Sequence, residues 1–154
     1  MENKLNFRLA LNDDLLDIIK MLSDDTLGSK REQFDEKISE KYKMAFENII
    51  KDPNQELTVV EMNGQKVGTF QLTFIQYLTH QGGLRAQVEA VRTHSDFRGQ
   101  GIGGQMFEYI KTHAIEKGCN MVQLTTDKQR PEALRFYESL GYVASHEGMK
   151  LKLV

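Results

Sequence analysis

The chain has 154 residues, of which 40% are hydrophobic and 27% charged, and a formal charge of −2 at pH 7. This length and composition fit one domain, 1–154, with a core of useful size. The near balance of 20 basic and 22 acidic residues argues against nucleic acid as the main partner. No apolar run approaches the ~20 residues of a membrane span, the N-terminus lacks the layout of a signal peptide, and a cytoplasmic protein is expected. A single cysteine, Cys119, excludes an intramolecular disulfide and a cysteine-based zinc cluster, and the four scattered histidines predict no metal site.

Alternation of Leu5, Phe7, Leu9 and Leu11 predicts a half-buried strand. Asn12 or Asp13 then caps a helix whose apolar residues are Leu15, Ile18, Ile19 and Leu22. Ser23 to Lys30 reads as a loop. A second helix is predicted from Arg31 to Lys51, with Phe34, Ile38, Tyr42, Phe46 and Ile49 on one stripe, ended by Asp52-Pro53-Asn54. Leu57 to Met62 and Val67 to Tyr77 read as strands joined by the hairpin signal Asn63-Gly64. Gln81-Gly82-Gly83 turns the chain into a further strand that includes Gln87 to Thr93.

A helix from Gly101 to Glu116 follows, burying Met106, Tyr109, Ile110 and His113 or Ala114, and closed by Lys117-Gly118. Met121 to Thr126 is a short strand. Pro131 fits the first turn of a last helix carrying Ala133, Phe136, Tyr137 and Leu140, with Gly141 as its C-cap. Tyr142 to Ser145 and Met149 to Val154 read as a closing hairpin.

The run Arg98-Gly99-Gln100-Gly101-Ile102-Gly103-Gly104 is the most informative segment. It lies between a strand and a helix. Glycines let the backbone approach a ligand closely, and the first N–H groups of the helix point at an anion. The macrodipole adds about half a positive charge there. A phosphate-bearing cofactor is therefore expected. Gly99-x-Gly101-x-x-Gly104 matches the dinucleotide fingerprint, with Asp127 downstream for a ribose contact. Three features oppose that reading. His94 to Arg98 separates the glycines from the strand, most of the chain precedes them, and about fifty residues follow, too few for the remaining βα units. Gly103-Gly104-Gln105 also lacks the Lys-Ser/Thr of a P-loop.

Val91 to Gly104 resembles the acyl-CoA-binding motif of the GNAT N-acetyltransferase superfamily, (Gln/Arg)-x-x-Gly-x-(Gly/Ala). A second segment, Ala133-Leu134-Arg135-Phe136-Tyr137-Glu138-Ser139-Leu140-Gly141-Tyr142, resembles that family's Ala-x-x-(aromatic)-Tyr-Glu-x-x-Gly-(Phe/Tyr) helix end. The order of elements matches over nearly the full chain. The resemblance implies an α/β fold of α+β type. Its central sheet is mixed, mostly antiparallel, of six to seven strands flanked by about four helices. Two central parallel strands, ending near Thr93 and Thr126, splay apart for the cofactor.

The resemblance also implies roles. Backbone N–H groups of Arg98, Gly99, Gln100, Gly101, Ile102, Gly103 and Gly104 hold the pyrophosphate of acetyl-CoA. Backbone groups of Val91 and Thr93 pair with the pantetheine arm. Removal of the Gln100 side chain is expected to matter little, and a bulky residue at Gly101 or Gly103 to matter greatly. An attacking alkylamine, of pKa near ~10, must lose a proton. Glu89, on the strand of Val91 and Thr93 and by period-two alternation on their face, is the candidate base. Family members often carry a glutamate on this strand. Tyr137 matches the family tyrosine that protonates the leaving thiolate. A backbone N–H near Val91 is placed to stabilise the oxyanion. Arg130 departs from the family, which often has asparagine there to bind the cofactor arm; it is a further candidate for a phosphate contact.

The acceptor is an amine of unspecified kind, small molecule or protein. Asp24 and Asp25 are able to attract a cation, but a solvated helix-end acidic cluster followed by a basic one is the preferred reading. Tyr77, Phe74 and Tyr142 are candidate aromatic walls. Cys119 reads as a core thiol, and His94, His80 and His146 as loop residues. Two other classes remain open, a non-catalytic acyl-CoA-binding regulatory protein and a nucleotide-binding module. The final strands allow a homodimer.

Overall fold

Leu5, Phe7 and Leu9 alternate with polar residues along β1 (Leu5–Leu9), which pairs antiparallel with β2 (Gln55–Met62) from Leu5 opposite Met62 to Leu9 opposite Thr58. The structure, a computed structural model, describes residues 3–32 and 37–154. Packing divides the chain into two compact units, Met1–Gln123 and Leu124–Val154. In the first, β2 and β3 (Gln65–Gln76) form a hairpin closed at Asn63-Gly64, and β3 pairs antiparallel with β4 (Leu84–Thr93). The sheet order is β1-β2-β3-β4-β5, with β5 at Met121–Leu124. Asn120 N donates to Leu84 O at 2.9 Å, and the Gln123 side chain bonds that of Gln87. The two contacts advance together along both strands, so β5 runs parallel to β4.

Helices cover both faces of this sheet. On one lie α1 (Leu15–Ser23) and α3 (Glu40–Lys51), which bury Leu15, Ile18, Ile19 and Phe46 against Ala10 and Val59. On the other lies α5 (Ile102–Glu116), whose Met106 and Ile110 are fully buried. Tyr109 of α5 stacks on Phe7 with ring centroids 4.1 Å apart and stands 6.1 Å from Phe70. Each such apolar side chain stabilises the fold by about 1.5–3 kcal/mol when fully buried. Gly68 of β3 admits the close approach of Met106, since a Cβ there would stand 3.1 Å from the Met106 sulfur.

The turn into α1 is fixed by charge. Buried Asp14, at the end of a 3-10 turn (Asn12–Asp14), accepts from Arg8 Nη1 and Nη2 at 2.7 and 3.0 Å and from the Leu11 amide at 2.8 Å. Lys66 Nζ lies 2.9 Å from its other oxygen, and Arg8 also reaches Glu61 at 2.7 Å. The Arg8 guanidinium, with help from the Leu11 amide and Lys66, holds the Asp14 carboxyl well below the usual carboxylate range.

Three expectations change. The helix predicted from Arg31 to Lys51 is not continuous: a single-turn α2 (Gly28–Arg31) occupies part of the expected loop, and α3 starts at Glu40. Ser39 is extended, at φ −68° and ψ 153°, and its carbonyl receives the amides of Tyr42 and Lys43. The placing of Phe34 on that helix lies outside the described residues. Among the described residues the sheet has five strands rather than six to seven.

The predicted closing hairpin, Tyr142 to Ser145 with Met149 to Val154, contains no strand. Its alternation is present, yet Met149, Leu151 and Leu153 are 86–93% exposed, so no buried face anchors a ladder. Before it, in the second unit, α6 (Pro131–Ser139) places Pro131 in its first turn. A further turn, α4 (Thr79–Gly82), left-handed at His80 and Gln81 with φ of +52° and +57°, links β3 to β4. Among the described residues no helix is long and apolar enough to cross a membrane.

Candidate active site

β4 leaves the sheet through a 3-10 turn (Ser95–Phe97) and the glycine run, which opens α5. Gly99 and Gly101 have φ of +76° and +77°, a region costly for any side-chain-bearing residue. Ideal Cβ atoms on Gly99, Gly101 and Gly104 would meet no protein atom within 4 Å, so the cradle is open. Gln105 N donates to Gly101 O at 3.2 Å. The amides of Ile102, Gly103 and Gly104 thus precede the helical ladder and face the N-terminal end of the α5 dipole. This donor set fits a pyrophosphate. Gln100 Nε2 reaches Asp96 O at 3.4 Å, and Arg98 Nε reaches Thr93 O at 3.3 Å.

Arg98 Nη2 also meets Asp24 at 3.4 Å, and Arg92 Nε meets Asp25 at 3.4 Å. Asp25 further accepts the Gly28 amide. The acidic pair at the end of α1 is therefore engaged by two arginines and the chain turn, rather than standing as a lure for a cationic acceptor. His94 caps the 3-10 turn through its ring, which accepts from Asp96 N at 3.2 Å.

Sequence alternation put Glu89 on one face with Val91 and Thr93, and the structure corrects this. Ala90 has φ +54°, and the register steps from Gln71 opposite Glu89 to Thr69 opposite Arg92. Ala90 and Val91 thus form a β-bulge against Phe70, which resets the period of two. Glu89 shares the face of Gln71 and Thr69, the side of α1 and α3. Thr93, opposite Gly68, belongs to the α5 side. Glu89 is exposed and accepts from Gln87 Nε2 at 3.2 Å. On the same face a cavity of about 90 Å³ opens between α1, α3 and the sheet, lined by Leu22, Tyr42, Phe46, Ile49, Gln71 and Ala90 among others. Ala90 escaped the sequence reading because bulges with positive φ are usually marked by glycine.

The second unit carries Arg130 and Tyr137. Arg130 is the N-cap of α6; its carbonyl receives the amides of Ala133 and Leu134 at 3.1 and 3.3 Å, and its own amide donates to Asp127 O. Tyr137 is half-buried on α6. Tyr142 N donates to Tyr137 O at 3.1 Å, and the two rings meet edge to face at 6.1 Å. Burial, with the Tyr137 phenol nearby, pushes the Tyr142 phenol up to about 12. In the first unit, Cys119 is half-buried after α5, and burial raises its thiol above the ordinary range. Such a thiol is a poor nucleophile. Phe74 and Tyr77 are engaged by Lys117 and Arg85, whose cations lie 5.3 and 4.2 Å from the ring centroids.

Comparison with known proteins bears on this arrangement. Residues 17–142 match the acetyltransferase (GNAT) family. Aminoalkylphosphonate N-acetyltransferase of Salmonella typhimurium is 29% identical over 105 residues, 68% of each chain. A protein from Bacillus halodurans C-125, described as a transcriptional regulator, has a crystal structure 50% identical to this chain; the match covers 97% of this chain and 100% of that one at a TM-score of 0.93. A predicted acetyltransferase with acetyl-CoA from Clostridium acetobutylicum shares the fold at a TM-score of 0.73, with 21% identity and 97% of each chain covered. The chain belongs to the acetyltransferase (GNAT) family.

Proposed function

We propose that the protein is an acetyl-CoA-dependent N-acetyltransferase that moves an acetyl group to an amine by direct attack in a ternary complex. The observation that carries this reading is the open, left-handed glycine cradle at the start of α5, on a chain of this family. Acetyl-CoA supplies an activated acetyl thioester. The amides from Arg98 to Gly104 hold its pyrophosphate, with Arg130 as a further phosphate contact. Val91 and Thr93 pair with its pantetheine arm between the ends of β4 and β5.

Glu89 takes the proton from the attacking ammonium, directly or through water. The amine nitrogen then bonds the thioester carbon, and the amide of the bulged Val91 donates to the developing oxyanion. As the C–S bond breaks, the Tyr137 phenol donates its proton to the leaving sulfur. As the intermediate collapses the nitrogen gives its second proton back to the Tyr137 phenolate and Glu89 releases its proton to solvent, leaving an amide and CoA. The bulge supports the role of Glu89, because it leaves that carboxylate on the face holding the cavity between α1 and α3.

Thermal unfolding with acetyl-CoA, CoA and NAD in parallel tests the cofactor. A rise with acetyl-CoA and CoA is expected; a rise with NAD alone refutes the reading. An amine screen for thiol release follows, in which Glu89→Gln and Tyr137→Phe slow turnover. The description of the Bacillus halodurans relative as a transcriptional regulator favours a second reading, an acyl-CoA-binding regulatory protein. That reading requires acetyl-CoA binding unchanged in both variants and no acetyl transfer to any amine.

A further inference from the structure

On the face of the sheet that carries Glu89, side chains from β4 and β5 form one directed hydrogen-bond chain. Arg85 Nη1 donates to Gln123 Oε1 at 3.0 Å, Gln123 Nε2 donates to Gln87 Oε1 at 2.7 Å, and Gln87 Nε2 donates to Glu89 Oε1 at 3.2 Å. Both ends of this chain are chemically fixed. A guanidinium has donors only, and a carboxylate accepts only. Gln123 must therefore turn its oxygen to Arg85, which leaves its NH₂ for Gln87, and Gln87 must in turn present its NH₂ to Glu89. No other orientation of the two amides satisfies all three contacts.

Arg85 is itself anchored, with its guanidinium carbon 4.2 Å from the centroid of the Tyr77 ring. Arg85, Gln87 and Gln123 are each only partly exposed, whereas Glu89 is exposed. The chain thus runs from a fixed cation on the sheet to a carboxylate that would otherwise rotate freely in solvent. Hydrogen bonds linked in one direction polarise one another, so the whole row holds the last acceptor more firmly than a lone amide does. The chain engages Oε1 and leaves Oε2 for a proton in transit.

We infer that Gln87, oriented by Gln123 and Arg85, is a positioning residue that holds Glu89 in one rotamer for the reaction. The inference rests on the reading of Glu89 as the base. Gln87 touches no reacting atom and acts only through that carboxylate.

The first test needs no acceptor. The side-chain carboxamide signals of Gln87 and Gln123 are followed by nitrogen-15 NMR in the wild type and in Glu89→Ala. Both sets are expected to move, although Gln123 does not touch Glu89. Unmoved Gln123 signals overturn the chain. The second test measures thiol release from acetyl-CoA with ethylamine and spermidine as probe amines, for Gln87→Met, Gln123→Met and Glu89→Gln. Gln87→Met keeps side-chain length and removes the donor. It is expected to lower kcat about tenfold, with KM for acetyl-CoA within twofold and a melting temperature near that of the wild type. Gln123→Met is expected to cost less in the same direction. Wild-type turnover in Gln87→Met beside a slowed Glu89→Gln overturns the positioning role and leaves the base standing. Wild-type turnover in Glu89→Gln refutes the base and the positioning role with it, while the NMR result separately decides whether the chain of amides exists.

Discussion

Gly101 and Gly118 stand at opposite ends of α5, both left-handed at φ +77° and +82°, and a Cβ on either would meet no protein atom within 4 Å. Alanine at either position therefore pays a backbone cost without a steric one, about 1 kcal/mol after the smaller entropy of the unfolded chain is counted. For a chain of this length that is a fall of about 2–4 °C in melting temperature. The two variants differ only in what lies outside the protein. At Gly101 the new methyl group enters the space where a pyrophosphate would sit; Gly118 is about 22 Å away along the 15-residue helix. Acetyl-CoA at ~100 times its dissociation constant stabilises by about 2.7 kcal/mol, or about 5–11 °C. Gly118→Ala should keep that rise in full, and Gly101→Ala should lose most of it. Titration calorimetry with acetyl-CoA supplies the affinities directly. Equal affinity in the two variants refutes the assignment of the glycine run as the phosphate seat.

Three other perturbations follow from the geometry. Asp14→Asn leaves Arg8 and Lys66 without their buried counter-charge and should cost about 3 kcal/mol in urea unfolding at pH 7. Because the Asp14 carboxyl is held low in the folded state, its contribution is present above its unfolded pKa of about 3.9 and is lost as pH falls below that. The wild type should thus lose stability below about pH 4 more steeply than Asp14→Asn, and parallel curves would contradict this. The raised Tyr142 phenol gives the opposite sign: its contribution is complete below its unfolded pKa of about 10 and is lost as pH rises to about 12. Burial also raises the Tyr109 phenol, so ultraviolet titration should show late phenolates of which one disappears in Tyr142→Phe. Ala90→Gly relieves a left-handed alanine and should raise stability by about 1 kcal/mol, whereas a loss on thermal unfolding would show that the Ala90 methyl packs more than it strains.

What was legible in the sequence is what short-range rules govern. The glycine run announces its backbone through residue type, and Pro131 and Gly141 mark the two ends of α6 by the same logic. The strands from Gln55 to Thr93 show in their alternation and in the Asn63-Gly64 turn. The closing hairpin shows where such rules stop. Met149, Leu151 and Leu153 alternate with lysines as a half-buried strand does, yet alternation states only a preference for a face and cannot supply the neighbour that would cover it. Ser39 ended the reading of one long helix for a related reason: the apolar stripe continues across it in sequence, while the backbone breaks there.

The face that carries Glu89 was harder to read because the residue at its bulge carries no signature. An alanine in a left-handed bulge looks like any strand residue, and period-two counting through Ala90 puts Glu89 on the wrong side of the sheet. The error is one residue in register, and it reverses which layer the carboxylate addresses. Gln87 is two residues from Glu89 and so is visible as a same-face neighbour, but Gln123 enters from β5, 36 positions further along. Only the parallel pairing of β4 with β5 brings that amide into line. The bulge and the parallel pair thus act together. The bulge follows Glu89, so it sets Thr93 and the glycine run apart from the face of α1 and α3 while leaving intact the alternation that keeps Gln87 and Glu89 together, and the parallel pair brings Gln123 to that same face.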